Sequence, residues 1–514
     1  MKNKFYITTA IPYVNGSPHL GHILEFTIGD VVNRYYRGQG KEVKFACGSD
    51  ENGQKILEAS KKEGLSPKEL ANKYTKEFKN QVQNLNVNFD VWRRGSDNKK
   101  HWPGVVKLWK MAFKNGDIYK KKYKGLYCVG CEQFYKEKEL IDGKCPEHLK
   151  KPEIIEEENY FFRLSKYQDK LLGLIESDKL KIYPEKRKNE TLGFIRQGLE
   201  DFSISRPKSR LSNWGIPVPG DESQVMYVWF DALTIYMTSI GWGYDQKEWK
   251  KYWPANLHVI GKGIYRFHTI YWPAMLMSAK LPLPKEVLIH GYVTSNGQKM
   301  AKSLGNVINP KDLLDKYGAD AIRYYLLKEI PTQNDGDFTK ERFKEIYNAD
   351  LANGLGNLTS RILTMAEKFT DGKVPNGKNP YKQKRISVIV KKELEIWKEI
   401  NKNIKEYKFH LALIGIWEFI HGVDKYIDQE KPWELAKQGN KKEHLNQVIY
   451  NLLDFLQQTA WMIWPFLPNT SKKIAGKLNV KELLNSKPDI KKSHERLVVG
   501  SKIKTGKPLF PRLE

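Results

Sequence analysis

The sequence predicts an α/β protein: a parallel-sheet domain interrupted by an insertion and followed by an α-helical bundle. Three observations carry this. Short β-branched or aromatic runs alternate with apolar-faced helical segments through the N-terminal part of the chain. A cysteine–histidine cluster with metal-ligand spacing interrupts that alternation. Beyond Pro310, apolar residues recur at helical steps over long stretches.

In order, Lys4 to Thr9 (KFYITT) reads as the first strand. The stretch after Gly21, with Ile23, Phe26, Val31 and Tyr35, reads as the first helix. Glu42 to Cys47 (EVKFAC) reads as a second strand, running into Gly48-Ser49-Asp50-Glu51-Asn52-Gly53. Residues 54 to 116 read as helical, with Trp92, Trp102 and Trp109 packing, and residues 160 to 195 as mixed. Tyr227 to Leu233 (YVWFDAL) gathers aromatic and small apolar side chains, with Tyr236 one helical turn on. Leu257 to Ile260 and Val287 to Ile289 read as further strands, the second ending at His290-Gly291. This order predicts a parallel sheet with ligands at its carboxyl edge. Farther on, the series Ile389, Leu394, Trp397, Ile400; Leu413, Ile416, Ile420, Val423; and Leu445, Val448, Leu452, Phe455 predict three amphipathic helices in a bundle.

Composition narrows the class. Hydrophobic residues are 40% and aromatics 12% of 514 residues, which marks a folded chain. Lys and Arg number 87 against 60 Asp and Glu, a net +27. That excess suits a polyanionic partner, with tRNA, other RNA and an anionic membrane as candidates, and equally suits a lysine-biased proteome. No apolar run is long enough to span a bilayer and the N-terminus carries no apolar signal core, so a cytoplasmic protein is expected. Of four cysteines, three fall in Cys128-Val129-Gly130-Cys131 and Cys145-Pro146-Glu147-His148. The spacing C-x2-C-x13-C-x2-H matches a closed tetrahedral zinc site of structural role, and speaks against a disulfide framework. Cys47 reads as a buried apolar residue.

Two further stretches carry chemistry. Pro18-His19-Leu20-Gly21-His22 lies at the turn from first strand to first helix. A helix N-terminus offers unpaired N–H groups to a phosphate, Gly21 permits close backbone approach, and imidazolium at His19 and His22 would stabilise charge developing on an α-phosphate. Lys299-Met300-Ala301-Lys302-Ser303 supplies two lysines three apart for β- and γ-phosphates. Asp50, just past a strand end, is placed either to hold a substrate ammonium or to cap a turn.

Together these stretches resemble the two signature motifs of class I aminoacyl-tRNA synthetases, with Ala301 where Ser is usual. The approach Ala10-Ile11-Pro12-Tyr13-Val14-Asn15-Gly16, the cysteine–histidine knuckle and Trp214-Gly215-Ile216-Pro217-Val218-Pro219 resemble the methionyl-tRNA synthetase family in its single-zinc-knuckle form, over nearly the whole chain. The resemblance implies a Rossmann-type catalytic domain in two halves, 1–116 and 226–300. Between them it implies a connective insertion, 117–225, with the knuckle at 128–148. After them come a stem-contact region at 301–350, a helical anticodon-binding domain at 351–495 and a tail at 496–514.

It further implies a methionine pocket of Ala10, Ile11, Tyr13, Asp50, Trp229, Ala232, Leu233, Tyr236, Ile264 and His268. For ATP it implies His19, Gly21, His22, Glu25, Gly261, Lys262, His290, Gly291, Lys299 and Lys302, with His19, His22, Lys299 and Lys302 catalytic and Mg2+ accompanying ATP. Gly263 stands where the family usually has an acidic residue, which leaves the ribose contact open. Asn357, Arg361 and Trp433 match positions that read the anticodon of tRNA(Met); Trp433 could instead cap the bundle core. Cys128, Cys131, Cys145 and His148 would hold one structural Zn2+. No oligonucleotide-binding domain follows before Glu514, so a monomer is expected, with tRNA(Met), ATP and L-methionine as partners and no membrane. The space between His22 and Lys299 is too short for the large editing insertion of the aliphatic class I synthetases.

Overall fold

The computed structural model describes residues 3–130, 132–146, 149–300, 308–378, 387–485 and 488–514. The chain folds as two compact units. Met1–Gly29, Glu42–Gln83 and Asn88–His290 form the first; Asp30–Lys41, Asn84–Val87 and Gly291–Glu514 form the second. The division falls at His290, upstream of the expected boundary at residue 300, and assigns two short N-terminal segments to the second unit.

The strands of the first unit include β1 (Lys4–Thr9), β2 (Glu42–Ser49), β3 (Val91–Arg94), β4 (Ile118–Cys128), β5 (Gln133–Tyr135), β6 (Glu153–Phe162), β7 (Lys181–Tyr183), β8 (Phe202–Ser203), β9 (Leu257–Gly261) and β10 (Glu286–His290), and Ser205–Pro207, Pro217–Val218 and Asp221–Met226 pair in a separate small sheet. Six of them form one sheet in the order β3-β2-β1-β9-β10-β7, every pairing parallel. Its middle strands are buried along nearly their whole length, as in a sheet covered on both faces. α1 (Leu20–Gly38) follows β1, and α2 (Gln54–Glu63) follows β2.

Neither edge strand is singled out by the sequence reading. β3 lies in the stretch read as helical, and β7 in the stretch read as mixed. Each is three or four residues long, too short for a period-2 pattern to stand out, and short edges are how open sheets discourage further pairing. The insertion builds its own antiparallel sheet, β5-β4-β6-β8. There Lys122 pairs with Glu158 and Lys124 with Glu156, so the lysine run of β4 faces the acidic run of β6. α3 (Val228–Thr238) returns the chain to the parallel sheet and is buried along its full length.

The second unit opens with a small sheet of β11 (Val293–Ser295), β12 (Gln298–Lys299) and β13 (Gly336–Asp337). Helices follow: α4 (Ala319–Glu329), α5 (Asn357–Thr370), α6 (Ser387–Lys405), α7 (Phe409–Glu430), α8 (Pro432–Leu435) and α9 (Lys442–Ile463). α6, α7 and α9 are the three amphipathic helices expected from the apolar series, with Ile416, Ile420, Val423, Val448, Leu452 and Phe455 fully buried. Arg323 on α4 is fully buried, lies 2.8 Å from Asp30 Oδ2 and donates to the carbonyls of Pro465 and Phe466. Among the described residues, no helix is long and apolar enough to cross a membrane.

Candidate active site

The site forms on the carboxyl edge of the central strands. Strand order reverses between β1 and β9, and such a switch point opens a crevice beyond the strand ends. β1 delivers Ala10 to this edge, β2 delivers Asp50, β9 ends at Gly261 before Lys262, and β10 ends at His290. The Asp50 N–H donates to the Pro12 carbonyl (2.9 Å) and the Val14 N–H to the Asp50 carbonyl (3.2 Å), bridging Tyr13 and Asp50 side by side.

The Pro18–His22 turn leads from this edge into α1. His22 Nδ1 accepts from the His19 N–H (3.2 Å), His19 Nδ1 accepts from the Gly21 N–H (3.1 Å), and the rings stack 3.8 Å apart. A neutral ring whose Nδ1 accepts carries its proton on Nε2, so both histidines offer an Nε2–H. Burial, then His19 and His290, hold His22 well below the ordinary imidazole pKa. The fold therefore favours a neutral Nε2–H donor at His22, whereas the sequence reading has imidazolium beside an α-phosphate. Gly21 has its own steric reason: a Cβ there would lie 2.9 Å from His19 Cε1, so its absence lets the His19 ring fold back over the turn. Glu25 Oε1 accepts from the Ala10 N–H (2.8 Å) while Oε2 lies 3.1 Å from His290 Nε2. It therefore ties the ends of β1 and β10 together.

Beside Asp50 stands an aromatic wall. Trp229 on α3 stacks on Phe267 at 3.8 Å and 6°, and Tyr13 meets Trp229 edge-on at 6.2 Å. Ala10, Trp229, Leu233, Tyr236 and Phe267 share one buried cluster, with Ile11, Tyr13 and Ile264 packed against it; Ala232 and His268 are buried too. His268 Nδ1–H donates to the Ile264 carbonyl (3.0 Å), so its Nε2 accepts from Tyr236 OH (2.7 Å). Burial pushes the His268 pKa from 6.5 down to about 4. Tyr13 OH and Trp229 Nε1 are buried with no hydrogen-bond partner among the described residues. Asp50 is buried, and desolvation, then Asp231 and Glu132, push its carboxyl well above the usual range against the pull of Lys55. Asp231 is itself held by Asn52 and His101.

Two residues here escaped the sequence reading as site residues. Phe267 carries a signal, an aromatic next to His268, that only the stacking on Trp229 makes meaningful. Glu132 carries none, because nothing local shows where the residue after Cys131 points.

The other expected residues fall elsewhere. Gly291 and Lys299 belong to the second unit, Lys299 pairing through its backbone with Thr294 in the small sheet. The Lys299 side chain, Lys302, Ala301 and Ser303 lie outside the described residues. Asn357 is exposed at the start of α5. Arg361, one turn on, pairs with Asp424 (2.7 Å) and Asp428 (3.1 Å) on α7. Trp433 is 40% exposed on α8, which is not how a residue capping the bundle core would sit. In the insertion, Cys128 and Cys145 are buried in one small cluster with Tyr135 and Leu140, and no disulfide joins either to another described residue. Cys131 and His148 lie outside the described residues, and among those described no three ligand-type side chains are placed to hold a metal ion.

Comparison with known proteins agrees with this geometry. The family model "tRNA synthetases class I (M)" matches residues 5–151 and 148–363, and "Anticodon-binding domain of tRNA ligase" matches 388–502. Fold and site together are those of a class I aminoacyl-tRNA synthetase. The methionine–tRNA ligase of Caldanaerobacter subterraneus subsp. tengcongensis is 43% identical over all of this chain and 80% of its own length, and that of Brucella suis biovar 1 is 42% identical over 99% and 98%. The structure of Mycobacterium tuberculosis methionyl-tRNA synthetase in complex with methionyl-adenylate superposes with a TM-score of 0.94 at 36% identity, covering 99% of this chain and 100% of that one. The chain belongs to the methionine–tRNA ligase family.

Proposed function

We propose that this chain charges tRNA(Met) with L-methionine in two steps. The methionine carboxylate attacks the α-phosphorus of ATP, giving methionyl-adenylate and pyrophosphate. The 2′-hydroxyl of the terminal tRNA ribose then attacks the methionyl carbonyl, and AMP leaves. The observation that carries this reading is the aromatic pocket beside Asp50 with two orphaned polar atoms, Tyr13 OH and Trp229 Nε1. A thioether packs well on aromatic faces, polar substrate atoms would satisfy the orphaned donors, and Asp50 would pair the α-ammonium.

Catalysis is positioning and electrostatics, with no protein nucleophile. His19 and His22 offer Nε2–H groups where charge develops at the α-phosphate. Lys299 and Lys302 take the β- and γ-phosphates. Gly261, Lys262, His290 and Gly291 border the nucleotide, Glu25 acts by tying strand ends, and Mg2+ accompanies ATP. Asn357, Arg361 and Trp433 read the anticodon, Trp433 by stacking on a splayed base.

Cys128, Cys131, Cys145 and His148 would hold one Zn2+, which folds the knuckle and takes no part in the reaction. The buried pair Cys128 and Cys145 fits that donor set. Reduced zinc-ligating thiols suit a cytoplasmic protein, and we assign the working form as a monomer. The domain limits proposed are 1–116 and 226–300 for the catalytic halves, 117–225 for the insertion, 301–350 for stem contact, 351–495 for anticodon reading and 496–514 for the tail.

Pyrophosphate exchange into ATP, measured with each of the twenty amino acids, tests the reading. Exchange should depend on methionine. Exchange driven by another amino acid and not by methionine overturns it.

A further inference from the structure

We propose that Glu132, carried by the insertion, is a positioning residue of the methionine pocket. The inference rests on the functional reading above and names a residue that the reading leaves out. α2 begins directly after Asp50-Glu51-Asn52-Gly53, and its N-cap, Gly53, supplies no capping side chain. Glu132 takes over that task from a distant part of the chain. Its carboxylate is buried, and Oε1 accepts from the Lys55 N–H at 2.9 Å. An acidic group at a helix N-terminus both satisfies unpaired N–H groups and complements the helix dipole.

Gly53 shows how tightly the two segments meet. A Cβ there would lie 2.6 Å from Glu132 Oε2 and 2.8 Å from Oε1, and Gly53 has φ +98°. The side chain of the residue so anchored reaches the pocket: the Lys55 ammonium sits 4.0 Å from the centre of the Tyr13 ring. Tyr13 is bridged to Asp50 on one side and meets Trp229 edge-on on the other. Glu132 thus fixes the start of α2, Lys55 fixes the Tyr13 ring, and Tyr13 and Asp50 together define where the α-ammonium sits. Glu132 touches no substrate in this arrangement; its structural hold on the Tyr13 side of the pocket runs through Lys55.

The experiment is pyrophosphate exchange by the full chain, with methionine and ATP varied separately. Glu132→Ala should raise KM for methionine by roughly tenfold while KM for ATP stays within about twofold. Glu132→Gln keeps an oxygen that accepts from the Lys55 N–H and should recover most of the loss. Lys55→Met, which removes the ammonium over Tyr13 and leaves the cap intact, should reproduce the selective rise in KM for methionine. Unchanged KM for methionine in either Glu132→Ala or Lys55→Met overturns the proposal. So does an equal rise in both KM values with a lowered melting temperature, which marks a role in folding alone. If the unaltered chain shows no methionine-dependent exchange, the functional reading fails instead, so the two failures are distinguishable.

Discussion

Pairing of Asp50 with the methionine ammonium, as proposed, would shift the protonation of its carboxyl. Its carboxyl is buried near Asp231 and Glu132, which favours the protonated form. A cationic ammonium arriving beside it favours the carboxylate, so methionine binding should release protons. Titration calorimetry in buffers of different ionisation enthalpy reads this directly, and affinity should rise with pH through the Asp50 transition. Asp50→Asn should abolish the release and weaken methionine binding by about 100-fold. His268 makes an opposite demand. Its pKa in the fold is about 4 against 6.5 for an unburied imidazole, so on acidification the unfolded chain takes up its proton first. Stability should therefore fall as pH drops from about 6.5 towards 4, by up to roughly 3 kcal/mol for this group. His268→Gln, which cannot titrate, should flatten that part of the curve in melting measurements.

At the scale of elements, the strands that carry the site were the legible ones. β1 spans Lys4–Thr9 as read, and β2, β9 and β10 differ from their readings by one or two residues at an end. They are long enough, and apolar enough on both faces, to stand out. β3 and β7 were not legible: Val91–Arg94 ends in two arginines and Lys181–Tyr183 runs into Pro184, so neither shows a strand pattern. Individual pocket residues such as Trp229 and Tyr236 look like core from sequence alone, and only the family resemblance singles them out. The partners that set the tautomers, the His19 N–H on His22 and the Ile264 carbonyl on His268, depend on geometry that no periodicity encodes. α8 invites an element-level test. Trp433 is exposed where a base could stack, so Trp433→Ala should slow tRNA charging at least about tenfold and leave pyrophosphate exchange intact. Equal loss of both activities would return Trp433 to a structural role.

For the whole molecule, the partition into units was the least legible feature. α1 is one continuous helix in sequence, yet its residues from Asp30 onward belong to the second unit. Buried charge holds it there: Arg323 lies 2.8 Å from Asp30, and Arg34 donates to the Asn86 carbonyl at 2.5 Å, both partners of α1 belonging to the second unit. Removing one partner of a buried pair strands the other, so Arg323→Ala should destabilise the second unit by about 3–5 kcal/mol. This should appear as a lower denaturation midpoint for the transition carrying that unit, with the other transition unmoved.

The central claim is that the carboxyl edge of the parallel sheet receives methionine and activates it. A crystal structure with a non-hydrolysable methionyl-adenylate analogue tests it most directly. The account predicts the α-ammonium within hydrogen-bond distance of Asp50, the thioether against Trp229 and Tyr13, and the phosphate mimic facing His19 and His22. An analogue bound away from that edge, or with its side chain outside the pocket of Trp229 and Phe267, would contradict it.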